Sequence, residues 1–185
     1  MPKMELVYVS SNREKFGEIV AALPEARLQH ELISIPEIIS VDPRVVLQAK
    51  ARVVYGQLGV PYIMDHSALY FGAYEFKLPG CVIDVMIEVL GLDKLCGSIQ
   101  GDRRAISRTL LLYCDGKRFQ TYEAQQGGRI APAPVGDHGF GWDRIFIPGC
   151  SSETFGEMTF QEKRRWSSRE MACRKFIDAL GARDD

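Results

Sequence analysis

Four short clusters of polar residues could carry chemistry, and each lies beside a run that is typical of a strand or a helix start. The first contains Ser10, Ser11, Asn12 and Lys15, directly after a strand-like run. Backbone N–H groups at a helix N-terminus bind anions and a lysine adds a point charge, so this cluster could hold a phosphate. A capped surface helix with an exposed lysine gives the same pattern, and these residues alone favour that simpler interpretation.

Carboxylates dominate the second and third clusters. Glu37 follows a proline in a loop, with Lys50 one helix later; carboxylate oxygens suit Mg²⁺, but lone loop carboxylates are usually solvated. Asp65, His66 and Ser67 end an apolar run, and catalytic residues of α/β proteins favour such strand ends. A histidine that is packed and hydrogen-bonded for structural reasons would give the same signature.

The fourth cluster is a glycine-rich aromatic loop followed by basic residues. Gly139 and Gly141 allow the backbone to approach a planar ligand, on which Phe140 or Trp142 could stack. Asp143 could accept hydrogen bonds from the N–H edge of a purine. Glycine–aromatic loops are also ordinary turns. The basic residues downstream are Lys163 and Arg169, the latter preceded by Ser167 and Ser168.

The elements that must position these clusters alternate between strand and helix. Ser11 or Asn12 can cap a first helix, whose apolar residues recur at i, i+3, i+4 and i+7. Asp42 as N-cap and Pro43 at the first helical position begin a second helix, which Gly59 ends. The apolar stripes consist of Phe16, Ile19, Val20 and Leu23 in the first helix, and of Val46, Ala49, Val53 and Val54 in the second.

The remaining pattern predicts a single α/β domain with a mixed β-sheet. Two β-rich runs flank Asp115 and Gly116, a strong hairpin signal, and alternating strands and helices before it favour a sheet flanked by helices. Strand order does not follow from these signals. The predicted strands are Glu5–Ser10, Leu28–Ile33, Pro61–Met64, Ile106–Cys114, Arg118–Gln125 and Ile145–Ile147, and the other predicted helices are Gly80–Leu90 and Ser168–Leu180.

Composition excludes several classes of protein. The 185 residues are 46% hydrophobic and 25% charged, which is typical of one globular domain. A net charge of −1 gives no overall basic surface for nucleic acid, and the apolar runs are too short to cross a membrane. The five cysteines have no zinc-type spacing. We therefore expect a reduced, soluble, cytoplasmic protein that binds neither nucleic acid nor membrane.

Taken together and in order, the clusters resemble the motifs of the inosine triphosphatase family, pyrophosphatases that act on deaminated purine nucleotides. The resemblance covers about residues 7–177. Ser10-Ser11-Asn12-x-x-Lys15-x-x-Glu18 is similar to the opening T-G-N-x-x-K-x-x-E motif, and Leu78-Pro79-Gly80 to the P-G turn. Further similarities are Pro36-Glu37, Lys50-Ala51, the nucleobase loop Gly139-Phe140-Gly141-Trp142-Asp143, Thr154-x-x-Glu157-Met158 and Lys163.

The resemblance implies a fold, a substrate and a set of site residues. It implies an elongated mixed α/β fold with a central cleft, usually a homodimer, in which ITP, dITP or XTP is cleaved with Mg²⁺ to the monophosphate and pyrophosphate. It implies metal binding by Glu37 and Asp65. The implied phosphate-binding residues are Ser10, Asn12, Lys15, Lys50 and Lys163, and the implied nucleobase-binding residues are Phe140, Gly141, Trp142, Asp143 and Arg169.

Departures from the family pattern concentrate on hydrolysis. Relatives carry two acids where this chain has Asp65 and His66, so the second acid, a metal ligand and catalytic base, is replaced by imidazole. Imidazole is a poor ligand for Mg²⁺, although it suits Mn²⁺ or can itself act as a base. Ser168 replaces a family histidine, Arg144 a proline, and Asp84 a lysine or small polar residue.

These departures predict a protein that binds deaminated purine nucleoside triphosphates with weak or absent hydrolysis. Its expected role is that of a nucleotide-sensing subunit acting with a partner effector, as family-like chains do in anti-phage defence. The alternative is an active Mg²⁺- or Mn²⁺-dependent pyrophosphatase in which Asp65 and Glu37 carry the metal and His66 is the catalytic base. A third option keeps the fold but takes another substrate, such as a nucleoside monophosphate.

Overall fold

The computed structural model describes residues 4–182 and has a seven-stranded mixed sheet flanked by helices. The strands of the main path lie in the order β2-β1-β3-β5-β6-β7, and a two-residue strand, β4, pairs with β3. The strands are β1 Met4–Val9, β2 Ala26–Glu31, β3 Tyr62–Phe71, β4 Pro79–Gly80, β5 Arg104–Cys114, β6 Phe119–Ile130 and β7 Phe146–Pro148. The helices are α1 Arg13–Ala22, α2 Pro43–Leu58, α3 Ile83–Leu90, α4 Leu92–Ser98, α5 Phe160–Arg164 and α6 Ser168–Gly181.

Local signals place the starts of α1 and α2 correctly. Asn12 caps α1, with its side chain accepting hydrogen bonds from the backbone N–H groups of Glu14 and Lys15. Asp42 caps α2 in the same way, and Gly59 ends it in the left-handed conformation that glycine adopts without steric cost. The predicted mixed sheet and the hairpin are confirmed.

In α1 and α2, the predicted apolar stripe is wider than the helix face that is buried in the structure. Val20 and Val53 are both exposed, while their stripe neighbours Ile19 and Val54 are fully buried. Each helix buries a narrow strip, because α1 packs against α6 and β2, and α2 against β3 and β5. The predicted helix Gly80–Leu90 begins only at Ile83, because Gly80 belongs to β4 and pairs with β3.

The largest difference from the sequence prediction is the length of β3. The predicted strand ends at Met64, whereas β3 continues to Phe71 and pairs antiparallel with β5 along all ten residues. Asp65, His66 and Ser67 therefore lie in the middle of a buried strand and not at its end. Polar side chains are tolerated there because they line a cleft and find partners, as described below.

That cleft opens at one edge of β3. On this edge β1 pairs only with Tyr62 and Ile63, and β4 pairs only with Leu69 and Tyr70. Between them, residues 64–68 have no strand partner on this side within the described part of the chain. Side chains on both faces of β3 can therefore reach the same space. No helix among residues 4–182 is long and apolar enough to cross a membrane.

Candidate functional site

A cavity of about 340 Å³ lies at this edge of the sheet, within the size range of pockets that bind small molecules. Its walls come from the start of α1, the loop before α2, the middle of β3, the loop before β7 and the start of α6. Every site residue predicted from the sequence lines it. These are Ser10, Asn12, Lys15, Glu37, Lys50, Asp65, His66, Phe140, Gly141, Trp142, Asp143, Lys163 and Arg169.

One end of the pocket is formed by the glycine–aromatic loop. Gly139 and Gly141 have φ angles of +75° and +60°, which fold the loop so tightly that Oδ2 of Asp143 accepts a 2.8 Å hydrogen bond from the backbone N–H of Phe140. The Lys163 ammonium donates to the same oxygen at 2.6 Å and lies 4.8 Å from the centre of the Phe140 ring. Burial raises the pKa of Asp143, and Lys163 opposes that shift.

Lys163 lies apart from Lys15 and Lys50, the two lysines with which the sequence groups it. The sequence groups it with the phosphate-binding lysines Lys15 and Lys50, but the structure places its ammonium between Asp143 and Glu18, beneath the aromatic loop. Its predicted contact with phosphate stays a prediction. The observed contacts show that it holds the loop in shape, which the linear order of the motifs could not indicate.

The floor of the pocket is a buried ion-pair network around Arg169. The guanidinium donates to Oδ2 of Asp65 at 3.1 Å and to Oγ of Ser67 at 3.1 Å, and also contacts Glu18. The hydroxyl of Tyr8 donates to the other Asp65 oxygen at 2.5 Å. Burial alone would raise the pKa of Asp65, but Arg169, with Lys15 and Tyr8, holds it well below its usual range.

Both oxygens of Asp65 are therefore engaged by protein groups. The prediction that Asp65 ligates a metal ion is untested, and each of its oxygens keeps a second lone pair beyond the hydrogen bond that it accepts. In this structure Asp65 accepts a hydrogen bond from Arg169, whose guanidinium carbon lies 5.8 Å from the centre of the Phe140 ring. Arg169 therefore contacts both Asp65, a predicted metal ligand, and Phe140, a predicted nucleobase-binding residue.

His66 is the most unusual polar side chain of the site. It is only 5% exposed, yet neither ring nitrogen has a hydrogen-bond partner. Buried polar atoms are nearly always satisfied, so such an exception points to a role in binding or chemistry. Nε2 lies 3.6 Å from Oε1 of Glu37, whose carboxylate pairs with Lys50. An imidazole in this position can accept a proton, donate a hydrogen bond or ligate a metal ion.

Electrostatics keep this imidazole neutral at physiological pH. Burial and the cations Lys15 and Lys50 lower the pKa of His66 to about 4, against the opposing effect of Glu37 and Asp65. Glu37 has a lowered pKa, because Lys50, His66 and Lys15 together outweigh the opposing effect of burial. Glu37 therefore presents an anionic oxygen ligand, and His66 beside it presents a neutral nitrogen.

The depressed pKa predicts a specific acid sensitivity. Between about pH 6.5, where an unfolded histidine titrates, and pH 4, the unfolded chain binds more protons at this position than the folded chain. The wild type should therefore lose up to about 3 kcal/mol more unfolding free energy across this window than His66→Gln. Urea unfolding of both proteins at several pH values measures the difference. Parallel pH profiles would contradict the prediction.

Sequence reasoning missed a chain of hydroxyls on the pocket floor. Ser168 lies 2.9 Å from Ser107 and 2.8 Å from Thr109, and Thr109 lies 2.8 Å from Ser67. Ser107 and Thr109 lie two residues apart in β5, a spacing that places both side chains on the same face of the strand. Ser168, which departs from the family pattern, is therefore fully integrated into this network. Tyr8 was also missed, and Glu18 was named only as the last residue of the opening motif, with no role.

Comparison with known proteins places the chain in a family. The sequence profile of the Ham1 family matches residues 6–179. The chain belongs to the Ham1 family. The dITP/XTP pyrophosphatase of Pyrococcus horikoshii is 30% identical over 185 residues, covering 96% of this chain and 97% of that protein. The dITP/XTP pyrophosphatase of Saccharolobus solfataricus is 32% identical over 176 residues, covering 93% and 91%.

Solved Ham1 structures confirm the fold. A HAM1 protein from Coxiella burnetii superposes with a TM-score of 0.81 at 23% identity, covering 97% of this chain and 99% of the other. The Ham1 protein of Staphylococcus aureus gives 0.79 at 21% identity, covering 98% and 100%. The family resemblance drawn from the motifs is confirmed.

Proposed function

We propose that this Ham1 family chain binds a deaminated purine nucleoside triphosphate, ITP, dITP or XTP, in the pocket at the edge of β3. The observation that carries the proposal is that a single cavity joins an aromatic loop to a helix N-terminus with two lysines. Phe140 and Trp142 offer rings for stacking on a base. The α1 N-terminus, Lys15 and Lys50 offer N–H groups and positive charge to the phosphates.

We propose further that hydrolysis is weak. Water attack on phosphorus needs a metal ion and a base to stabilise the developing charge. Glu37 is paired with Lys50, Asp65 with Arg169, and His66 offers nitrogen where relatives carry an acid. The described residues contain no group of three His, Cys, Asp or Glu side chains arranged to hold a metal ion. Loss of one catalytic acid can lower the rate of hydrolysis by orders of magnitude while leaving nucleotide binding intact.

The donor set nevertheless fits a divalent cation that accepts nitrogen. Glu37 and the unpartnered imidazole of His66 would hold such a cation, which would supply charge neutralisation for the phosphates. Mn²⁺ suits this pair better than Mg²⁺, which prefers oxygen ligands in octahedral geometry. Lys15 and Lys50 would orient the phosphates beside it.

The second candidate function is an active pyrophosphatase. The names of the relatives favour it, since the proteins of Pyrococcus horikoshii and Saccharolobus solfataricus are both dITP/XTP pyrophosphatases. In this version the neutral His66, whose buried ring nitrogens have no hydrogen-bond partner, takes a proton from the attacking water. Its low pKa makes it a weak base, which lowers the expected rate. A partner effector, a homodimer and a cytoplasmic location remain predictions from the sequence, and no relative named above is described as acting with an effector.

The proposal is tested by titrating the protein with ITP, dITP and XTP, with ATP and GTP as controls. Calorimetry in Mg²⁺ and in Mn²⁺ measures binding, and pyrophosphate release is assayed on the same samples. Selective binding without pyrophosphate supports the first candidate, and brisk selective turnover supports the second. Absence of both would exclude these nucleotides as ligands.

Removal of the stacking ring should weaken binding without unfolding the chain. We expect Phe140→Ala to reduce ITP affinity about tenfold to a hundredfold, because stacking of a base on an aromatic ring contributes roughly 1–3 kcal/mol. Phe119→Ala is the matched control, since Phe119 is 44% exposed on the hairpin and does not line the pocket. Equal affinities of the two variants would remove Phe140 from the base site.

A further inference from the structure

Asp84 is a pocket carboxylate that neither the motifs nor the proposed mechanism uses. It lies in the first turn of α3 and is exposed at the rim of the cavity. Across the rim is Gly141, where an added β-carbon would lie 3.9 Å from Oδ1 of Asp84. The strongest neighbouring charges on Asp84 come from Lys15, Glu37, Lys50 and Arg169. It therefore lines the same cavity as the aromatic loop and as Lys15 and Lys50, at which the phosphates are proposed to bind.

The charges that line the pocket are unsuited to a free triphosphate. Four cations, Lys15, Lys50, Lys163 and Arg169, face five anions, Glu14, Glu37, Asp65, Asp84 and Asp143. Three of these cations are already paired, Lys50 with Glu37, Lys163 with Asp143 and Arg169 with Asp65. Lys15 is left to oppose Asp84 and Glu14. A nucleoside triphosphate adds about four negative charges, so it meets net repulsion.

We propose that Asp84 is a specificity-determining residue that makes nucleotide binding depend on a divalent cation, by repelling polyphosphate that carries none. The inference rests on the proposed nucleotide function and extends it to the form of the ligand. A cation bound near Glu37 and the unpartnered ring of His66 offsets the repulsion, so the metal complex of the nucleotide is accepted and the free anion is rejected. Asp84 would thus discriminate between the two forms of the nucleotide by repelling the free anion, and not by attracting the metal complex more strongly.

The experiment compares ITP binding by calorimetry in EDTA and in Mn²⁺ for the wild type, Asp84→Asn and Asp84→Lys. We expect removal of the cation to weaken wild-type binding at least about a hundredfold. In EDTA, Asp84→Asn should bind ITP about tenfold more tightly than the wild type, and Asp84→Lys more tightly still. In Mn²⁺, the affinity of Asp84→Asn should differ little from that of the wild type. The recovery should shrink at high salt, because screening weakens the charge at the rim.

Glu88→Gln is the matched control. Glu88 lies one turn later on the same helix, is exposed and does not line the pocket, so it should behave as the wild type. Equal cation dependence of the wild type and Asp84→Asn would overturn the inference while leaving nucleotide binding established. A change that appears with ITP but not with dITP would also overturn it, since it would assign Asp84 to the ribose hydroxyl. Failure of the wild type to bind any nucleotide would overturn the proposed function itself.

Discussion

Replacing His66 with aspartate should increase pyrophosphate release from ITP about a hundredfold in Mg²⁺. The substitution places a second oxygen ligand beside Glu37, from whose Oε1 the His66 ring nitrogen is now 3.6 Å. Paired carboxylates suit Mg²⁺, and a positioned metal and base typically contribute factors of 10² to 10⁴ in rate. Steady-state assays of pyrophosphate release, with binding measured in parallel, give the result.

Two controls separate catalysis from simple repair of the pocket. His66→Asn has similar size to aspartate but carries no charge, so it should retain binding and show no gain in rate. His66→Asp should also be stabilised more by Mg²⁺ than the wild type in thermal unfolding, because the metal relieves repulsion between neighbouring carboxylates. If the wild type turns over ITP briskly and His66→Asp slows it, His66 is the base of an active pyrophosphatase.

Replacing Arg169 with methionine should destabilise the fold by about 3–5 kcal/mol. Arg169 is 7% exposed and is the common partner of Asp65 and Glu18. Removing it leaves the buried Asp65 without its ion-pair partner and leaves Glu18 with Lys163 alone. An unpaired buried charge destabilises a fold by far more than an intact buried pair stabilises it. Chemical denaturation at neutral pH measures the loss.

Arg174→Met is the control for this variant. Arg174 lies on the same helix and pairs with Glu170, but its side chain is 66% exposed, so its loss should change stability by less than about 0.5 kcal/mol. The Arg169 effect should also depend on acid. The folded pKa of Asp65 is depressed, so its contribution is present above the usual aspartate pKa and is lost as pH falls below it. Equal unfolding curves for both variants at neutral pH would refute the prediction.

The sequence by itself determined the family, the starts of α1 and α2, the hairpin and many of the residues that line the pocket. Asn12, Asp42 and the Asp115–Gly116 turn act within a few residues, so their effects on α1, α2 and the hairpin follow from local hydrogen bonding and backbone preference. The ordered motifs likewise predicted which residues line the cavity, because relatives with this order of motifs share one fold.

The tertiary structure alone decided which of these residues are free to act. Asp65 and Arg169 are 104 residues apart in the chain, and their pairing depends on β3 lying beside β5 with α6 packed over it. Strand order and the full length of β3 arise from long-range pairing, which local periodicity does not encode. For the same reason, only the fold shows that Lys163 shapes the aromatic loop, and that His66 is left with two unpartnered nitrogens in the pocket.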